Sequence, residues 1–362
     1  DSFNYLIKAI GFEAIEMANI ILPIGLSFYI FHAISYLIDI YRKEALPARN
    51  LIDFSAFIAL FPHLVAGPVL RYHLLAEQFH HRVHSWSNFS RGCTIFMVGF
   101  CKKVLIADTV APLADAAFAI KNPSMMDAWL GTIAYTIQLF FDFSGYTDMA
   151  IGLALMIGFV FPQNFNDPYT SKSITEFWQR WHMSLSSWLR EYLYIPLGGN
   201  KKGTRRTYIN LFLTMLLGGL WHGANWTFVV WGAWHGGILA IERYLKSKFG
   251  DSILPSWLRI IKTMLLVMIG WIFFRAIDLN NALQMLRGLI GLNGFNFSNM
   301  MEWQIEPDRL GILFVAIFLV YAMPWLHRYR GGPMRYLLIP LFFWAVATLS
   351  AQNFTPFLYF QF

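Results

Sequence analysis

Residues 207–241 read TYINLFLTMLLGGLWHGANWTFVVWGAWHGGILAI, a stretch without Asp, Glu, Lys or Arg that nevertheless holds His222, Asn225 and His235. As one straight helix it would be about 52 Å long, against a hydrocarbon core about 30 Å thick, so it must tilt, bend or break. The break is expected between Gly218-Gly219 and Gly223-Ala224-Asn225, because glycine weakens a helix and asparagine tolerates turn geometry. Along a helix starting at Arg206, His222 would lie about 24 Å in, while His235 would lie only about 10 Å from Glu242. His222 is then the mid-depth histidine, and an ionisable group at that depth is costly enough to be a candidate for function. The bland alternative is a neutral histidine hydrogen-bonded within a helix bundle. On a continuous helix His222 and His235 would stand about 20 Å apart, too far to act as a pair.

Lys201, Lys202, Arg205 and Arg206 precede this stretch, and Arg243, Lys246 and Lys248 follow it. Basic clusters beside apolar segments mark cytoplasmic ends. Two such ends predict that the stretch turns back, or crosses as two short tilted helices. The composition agrees: 57% hydrophobic against 14% charged residues defines an integral membrane protein, and its long apolar runs are helices rather than alternating barrel strands. The net charge of +7 is spread over such clusters between apolar runs, which sets nucleic acid aside as a partner. Cys93 and Cys101 share one apolar run and fit neither a disulfide framework nor a metal pattern.

Further runs at 20–41, 50–70, 92–118, 128–161, 257–275, 310–326 and 336–351 complete a bundle. Pro23 and Gly25 loosen the entrance to the first, where His32 and Asp39 share a face. Pro62 and Ala66-Gly67-Pro68 predict a kink or re-entrant turn in the second, next to His63. Residues 72–90 carry His73, His80, His81 and His84 and read as an interfacial amphipathic helix, with zinc binding as the weaker alternative. Lys102-Lys103 should mark an interface. Gln138, Asp142, Ser144, Tyr146, Thr147 and Asp148 are too polar for lipid and must face the bundle interior or a watery cavity. Asp142 and Asp148, six apart, fall on different faces and form no carboxylate dyad.

Residues 163–169 form a polar turn segment, after which Ser173-Ile174-Thr175-Glu176 fits a capping box opening a helix to about Tyr194. Trp178, His182, Leu185 and Leu189 would share one stripe of it, turning His182 to the bundle. Residues 282–291 are amphipathic and interfacial, and HRYRGGPMR at 327–335 joins the last two spans. No repeat or linker divides the chain, which predicts one domain over 1–362.

FWQRWHMSLSSWLREYLYIPLGGN at 177–200 and LGGLWHGANWTFVVWGAWHG at 217–236 resemble the membrane-bound O-acyltransferase family, in particular its bacterial branch that O-acetylates exopolysaccharides such as alginate. DFSGYTDMAIGLALMIGF at 142–159, NFNDPYTSKSITEFW at 164–178 and YFQF at 359–362 extend the resemblance. It implies an all-α, polytopic transmembrane bundle with kinked or re-entrant and interfacial helices, in which an N-terminal part precedes Asp1; the chain's opening without Met suggests the same. It places the family's essential histidine at His222, in Trp-His-Gly, and a partner position at His182, in Arg-Trp-His.

The implied chemistry is acyl transfer from a thioester, acetyl-CoA, to a hydroxyl, with no bound cofactor and no metal. A hydroxyl is a poor nucleophile, and a neutral imidazole takes its proton as attack occurs, the role expected of His222. His182 would orient or polarise an acceptor or the thioester carbonyl. Trp221, Asn225, Trp178 and Asp142 are expected along the substrate path, and Lys201, Lys202, Arg205 and Arg206 at the donor phosphates. The acceptor would be the polysaccharide or a periplasmic acetyltransferase, and the location the bacterial inner membrane, crossed several times. The rival reading is a transporter or export-complex subunit without chemistry of its own, since broken helices and polar residues at depth suit transport too.

Overall fold

A computed structural model describes residues 8, 13, 25–64, 67–250, 252–326 and 334–351, and no strand occurs among them. The helices are α1 (Leu26–Tyr41), α2 (Leu51–Ile58), α3 (Trp86–Cys101), α4 (Asp108–Ala119), α5 (Met125–Met156), α6 (Ile174–Arg180), α7 (Met183–Leu189), α8 (Gly203–His222), α9 (Trp226–Phe249), α10 (Ser256–Arg275), α11 (Leu279–Leu289), α12 (Pro307–Leu326) and α13 (Met334–Ala351). Residues 256–275 and 307–325 form helices long and apolar enough to cross a membrane. The other long helices, α5, α8 and α9, carry polar side chains that face protein. A helix surrounded by helices need not be apolar all round.

α5 is the axle of the bundle, opened by a Ser124–Asp127 capping box and buried along most of its length. α3 lies against it backbone to backbone. A Cβ on Gly152 would stand 2.6 Å from the Gly92 carbonyl oxygen, and one on Gly145 would stand 2.7 Å from that of Gly99. Glycines at both positions of both helices let the chains approach where any side chain would wedge them apart. Between α3 and α4 the helix widens into a π-helical turn, Lys102–Ala107. It turns Lys103 inward to Asp142 at 2.8 Å and to Asp108 at 2.5 Å, while Lys102 binds Asp148 at 2.6 Å. The expectation that these lysines mark an interface is corrected for Lys103, which neutralises carboxylates inside the bundle.

The central stretch is a helical hairpin. α8 ends at His222 and α9 starts after Asn225, whose side chain accepts from the Thr227 N–H. Only the second half of the expected break breaks. Gly218 and Gly219 stay helical, and Gly219 with Gly232 lets α8 and α9 touch: a Cβ on Gly232 would meet the Met215 carbonyl oxygen at 2.6 Å. His222 therefore sits at the hairpin turn, not midway along one helix.

Two other expectations change, and the opening of the first span lies outside the described residues. The first span is seen from Gly25 onward, at φ 80°, with Pro23 outside the described residues. Residues 72–90 form two short turns and an extended run into the Ser85 cap of α3 rather than one amphipathic helix. Their histidines consequently part company, His73 to Asp39 at 2.9 Å and His80 toward Asp53 at 4.0 Å. The helix from Ser173 breaks at His182. In the 50–70 run the kink is present as a 3₁₀ turn at Phe61–His63, and His63 packs against His32 with ring centroids 4.4 Å apart. Residues 327–333 and 359–362 lie outside the described residues, as does Ala66.

Gly152→Leu should force α3 off α5 at a cost of about 1–3 kcal/mol, read as a lower Tm of the detergent-solubilised protein. Gly237→Ala, where nothing stands within 4 Å of the added Cβ, should leave Tm unchanged or raise it.

Candidate active site

The site forms where two bent pairs of helices meet. α6 and α7 make the first pair, joined by Trp181-His182. The start of α6 is bound by Glu242 near the end of α9, which accepts from the Ile174 and Thr175 N–H groups at 3.0 Å each. Further along, the Trp178 indole N–H donates to His235 Nδ1 at 3.4 Å, so α6 runs antiparallel to α9. Beyond His182 the chain returns: Leu189 faces Gly218 of α8, and Asn210, two turns nearer the start of α8, donates to the Leu197 and Gly199 carbonyls. The pair thus enters and leaves from the end of the bundle that bears Lys201 and Lys202, with His182 at its tip.

The tip has an unusual backbone. His182 adopts φ 43°, ψ 54°, left-handed geometry uncommon for a residue with a Cβ. Such a break inside protein leaves helix-end groups to be satisfied by other chain segments. Residues 164–166 do this. The Asn166 N–H donates to the Arg180 carbonyl at 2.9 Å, and the Asn164 carbonyl accepts from the Met183 N–H at 2.9 Å. The Asn164 side-chain oxygen accepts from the Ser184 N–H at 3.1 Å and from the Ser184 hydroxyl at 2.8 Å, and it lies 3.1 Å from His182 Nδ1. The Ser184 hydroxyl in turn accepts from the Val69 N–H at 2.8 Å. His182 is buried, its ring stands edge-on to Phe143 at 4.7 Å, and its Nε2 has no hydrogen-bond partner among the described residues.

His222 ends the opposing hairpin between Trp221, Phe274 and Trp231, at ring distances of 4.6, 4.9 and 5.2 Å. It is partly exposed, and Phe274 beside it reaches Trp271 at 5.7 Å, which in turn packs at 5.0 Å on Trp181, the neighbour of His182. Gly223 closes the turn beside Phe228, whose ring a Cβ would meet at 2.7 Å. His235, buried, is only one indole away: Trp231 lies 5.2 Å from both histidines. The expected wide separation of His222 and His235 is overturned by the turn at 223–225.

The other predicted site residues take varied places. Trp221 packs on Phe31 at 4.9 Å and so lines one wall beside His222. Trp178 reaches His235 rather than His222. Asn225 uses both ends of its amide structurally, capping α9 and donating to the Ile277 carbonyl at 2.8 Å. Asp142 is engaged by Lys103, one residue before the Phe143 that touches His182. Lys201, Lys202, Arg205 and Arg206 are all exposed around the start of α8. At that same end a cleft of about 610 Å³ opens between Arg42, Glu44, His73, Glu191, Ile195 and Pro196. From beside it a file of rings, Tyr192, Trp188, Phe31 and Trp221, leads in steps of 4.2–5.0 Å to His222. Asn164, Ser184, Trp231 and Phe274 were not singled out from sequence. Asn164 lies in a stretch read as a polar turn, and its polarity before a helix break was the available signal.

A bundle of helices, two of them long and apolar enough to cross a bilayer, with His182 and His222 each at a helix break among aromatic rings, defines a membrane-protein scaffold with polar groups inside it. The chain belongs to the MBOAT, membrane-bound O-acyltransferase, family, whose profile matches residues 41–285, and it is therefore an acyltransferase. It is 50% identical over 389 residues to a probable alginate O-acetylase of Pseudomonas putida and 48% identical over 401 residues to one of Azotobacter vinelandii. Both alignments cover all of this chain, and 79% and 80% of the respective relatives. A peptidoglycan O-acetyltransferase of Helicobacter pylori is 36% identical over 85% of this chain and 64% of its own length. Membership of this family replaces the reading as a transporter without chemistry.

Lys103→Met should leave Asp142 buried against an apolar group and destabilise the protein by about 3–5 kcal/mol. Adding Asp142→Asn should recover part of that loss, as measured by Tm and membrane abundance.

Proposed function

We propose that the protein is a multi-pass enzyme of the bacterial inner membrane that transfers acetyl groups from cytosolic acetyl-CoA for the O-acetylation of an exopolysaccharide such as alginate. The names of the relatives support the acetyl group and the polysaccharide. The thioester donor follows from the chemistry, since acylating an alcohol requires an activated acyl group. What supports the reading is that His182 and His222 each stand at a helix break, and that rings link the two breaks, from Trp181 through Trp271 and Phe274 to His222 in steps of 5.0, 5.7 and 4.9 Å.

In the reaction the hydroxyl oxygen of the acceptor attacks the thioester carbonyl carbon, and the C–S bond breaks. His222 takes the hydroxyl proton as the O–C bond forms and returns it to the departing thiolate, so the base is regenerated. Trp221, Trp231 and Phe274 shape the pocket around the reacting carbon and keep bulk water from hydrolysing the thioester. The nucleotide of the donor cannot cross lipid, so the donor enters from the end bearing Lys201, Lys202, Arg205 and Arg206. Those side chains and the start of α8 favour its phosphates. The acceptor comes from the other side of the membrane, either as the polysaccharide or as a periplasmic transferase that passes the acetyl group on.

His222→Ala should lower transfer by about 10²–10⁴-fold, the usual contribution of a positioned base, with normal membrane abundance. Acetylation retained in that variant would remove the assignment. Charge reversal at Lys201, Lys202, Arg205 and Arg206 should raise the KM for acetyl-CoA while leaving the KM for the acceptor unchanged. An equal change in both, or in neither, would place the donor phosphates elsewhere.

A further inference from the structure

We infer that Asn164 is a positioning residue: it locks His182 in the tautomer with its proton on Nδ1, so that His182 meets the reactants at Nε2 as a hydrogen-bond acceptor and cannot donate to the thioester carbonyl. The inference deepens the acyl-transfer reading and rests on it for the identity of the reactants.

The orientation of the Asn164 amide is fixed by a group of known polarity. The Ser184 backbone N–H can only donate, and it points at the Asn164 side-chain oxygen at 3.1 Å. The amide nitrogen faces the Thr147 hydroxyl at 3.4 Å. The Ser184 hydroxyl accepts from the Val69 N–H, and its own proton goes to the same Asn164 oxygen at 2.8 Å rather than to His182 Nδ1, which is farther off at 3.5 Å. His182 Nδ1 lies 3.1 Å from that oxygen. A bare Nδ1 there would press one lone pair against another, so Nδ1 carries the proton. In a neutral imidazole the other nitrogen is then a lone pair. That Nε2 is buried and has no hydrogen-bond partner among the described residues.

The tautomer decides what His182 can touch. A thioester carbonyl offers only lone pairs, so a bare Nε2 repels it. The attacking hydroxyl has one proton, which His222 takes, so a bare Nε2 accepts instead from another donor of the bound acceptor, such as a neighbouring hydroxyl, and so orients it. The expectation that His182 polarises the donor carbonyl is thereby narrowed to orientation of the acceptor. Asn164 does this from a distance, touching no reactant. It is itself fully buried, on a loop pinned to both sides of the helix break.

The direct test is the ¹⁵N spectrum of histidine-labelled protein in nanodiscs, with His182 assigned among the ten histidines by its loss in His182→Gln. A directly bonded proton on Nδ1 and the downfield shift of a bare nitrogen at Nε2 are expected; a proton on Nε2 overturns the inference. Kinetics give the second arm. Asn164→Leu should lower kcat for transfer about 10²-fold without changing the dissociation constant of a thioether analogue of acetyl-CoA. Asn164→Asp, which accepts the same three donors, should stay within about tenfold of wild type. Wild-type kcat in Asn164→Leu, or weakened analogue binding with kcat unchanged, overturns it. If Asn164→Leu fails to accumulate, the wild-type spectrum and Asn164→Asp decide. A wild-type protein that transfers no acetyl group yet shows the Nδ1 proton would sink the acyl-transfer reading while leaving the Asn164 lock in place.

Discussion

A polypeptide that unwinds inside a helix bundle must hydrogen-bond the groups it frees, because no water is at hand to do so. The turn at His182 meets this demand through a single neighbouring loop. Asn164 and Asn166 together serve the carbonyl that ends α6, the first two N–H groups of α7 and the imidazole between them. The left-handed backbone of His182 is held by these bonds, and it is what carries the imidazole to the tip of the helix pair. The same logic operates at the hairpin turn, where the Asn225 amide caps α9 and ties it to the end of α10. Each of the two site histidines stands at a helix break, and an asparagine braces each break.

Elsewhere in the bundle, charges are settled in pairs. Lys102 and Lys103, adjacent on a π-helical turn, each bind a carboxylate of α5. Widening the helix by one residue at that turn changes which directions its side chains take, so neighbours in sequence reach Asp148 and Asp142 together. At the other end of the site Glu242 caps α6 with both carboxylate oxygens. It fixes the height of α6 against α9, and so the depth to which His182 is carried relative to the hairpin.

Much of this was legible in the residues, and the parts that were not share a cause. An uncharged stretch too long for one crossing, basic at both ends, could only turn back, and Gly223 and Asn225 told where. Gly218-Gly219 offered the same local signal but remained helical, Gly219 packed against Phe228 and Gly232 of α9 and Gly218 facing Leu189 of α7; local propensity cannot distinguish a hinge from a packing face. The break at His182 was invisible because Trp178, His182, Leu185 and Leu189 fit one helical stripe, and it is contacts from Asn164, outside that helix but touching it in the fold, that interrupt it. Lys103 was misread for a similar reason. Lysines beside an apolar run signal an interface unless carboxylates wait on a neighbouring helix, and that pairing is a tertiary fact.

The glycine rail between α3 and α5 has a mechanical consequence. Helices whose backbones touch leave no gap for a lipid tail or a solvent molecule, and they have few side-chain rotamers through which to slide. The two therefore behave as one stiff wall. Any breathing that admits a bulky donor or releases its spent carrier must be supplied by the opposite side, where short helices, broken turns and rings packed edge to face can tilt past one another.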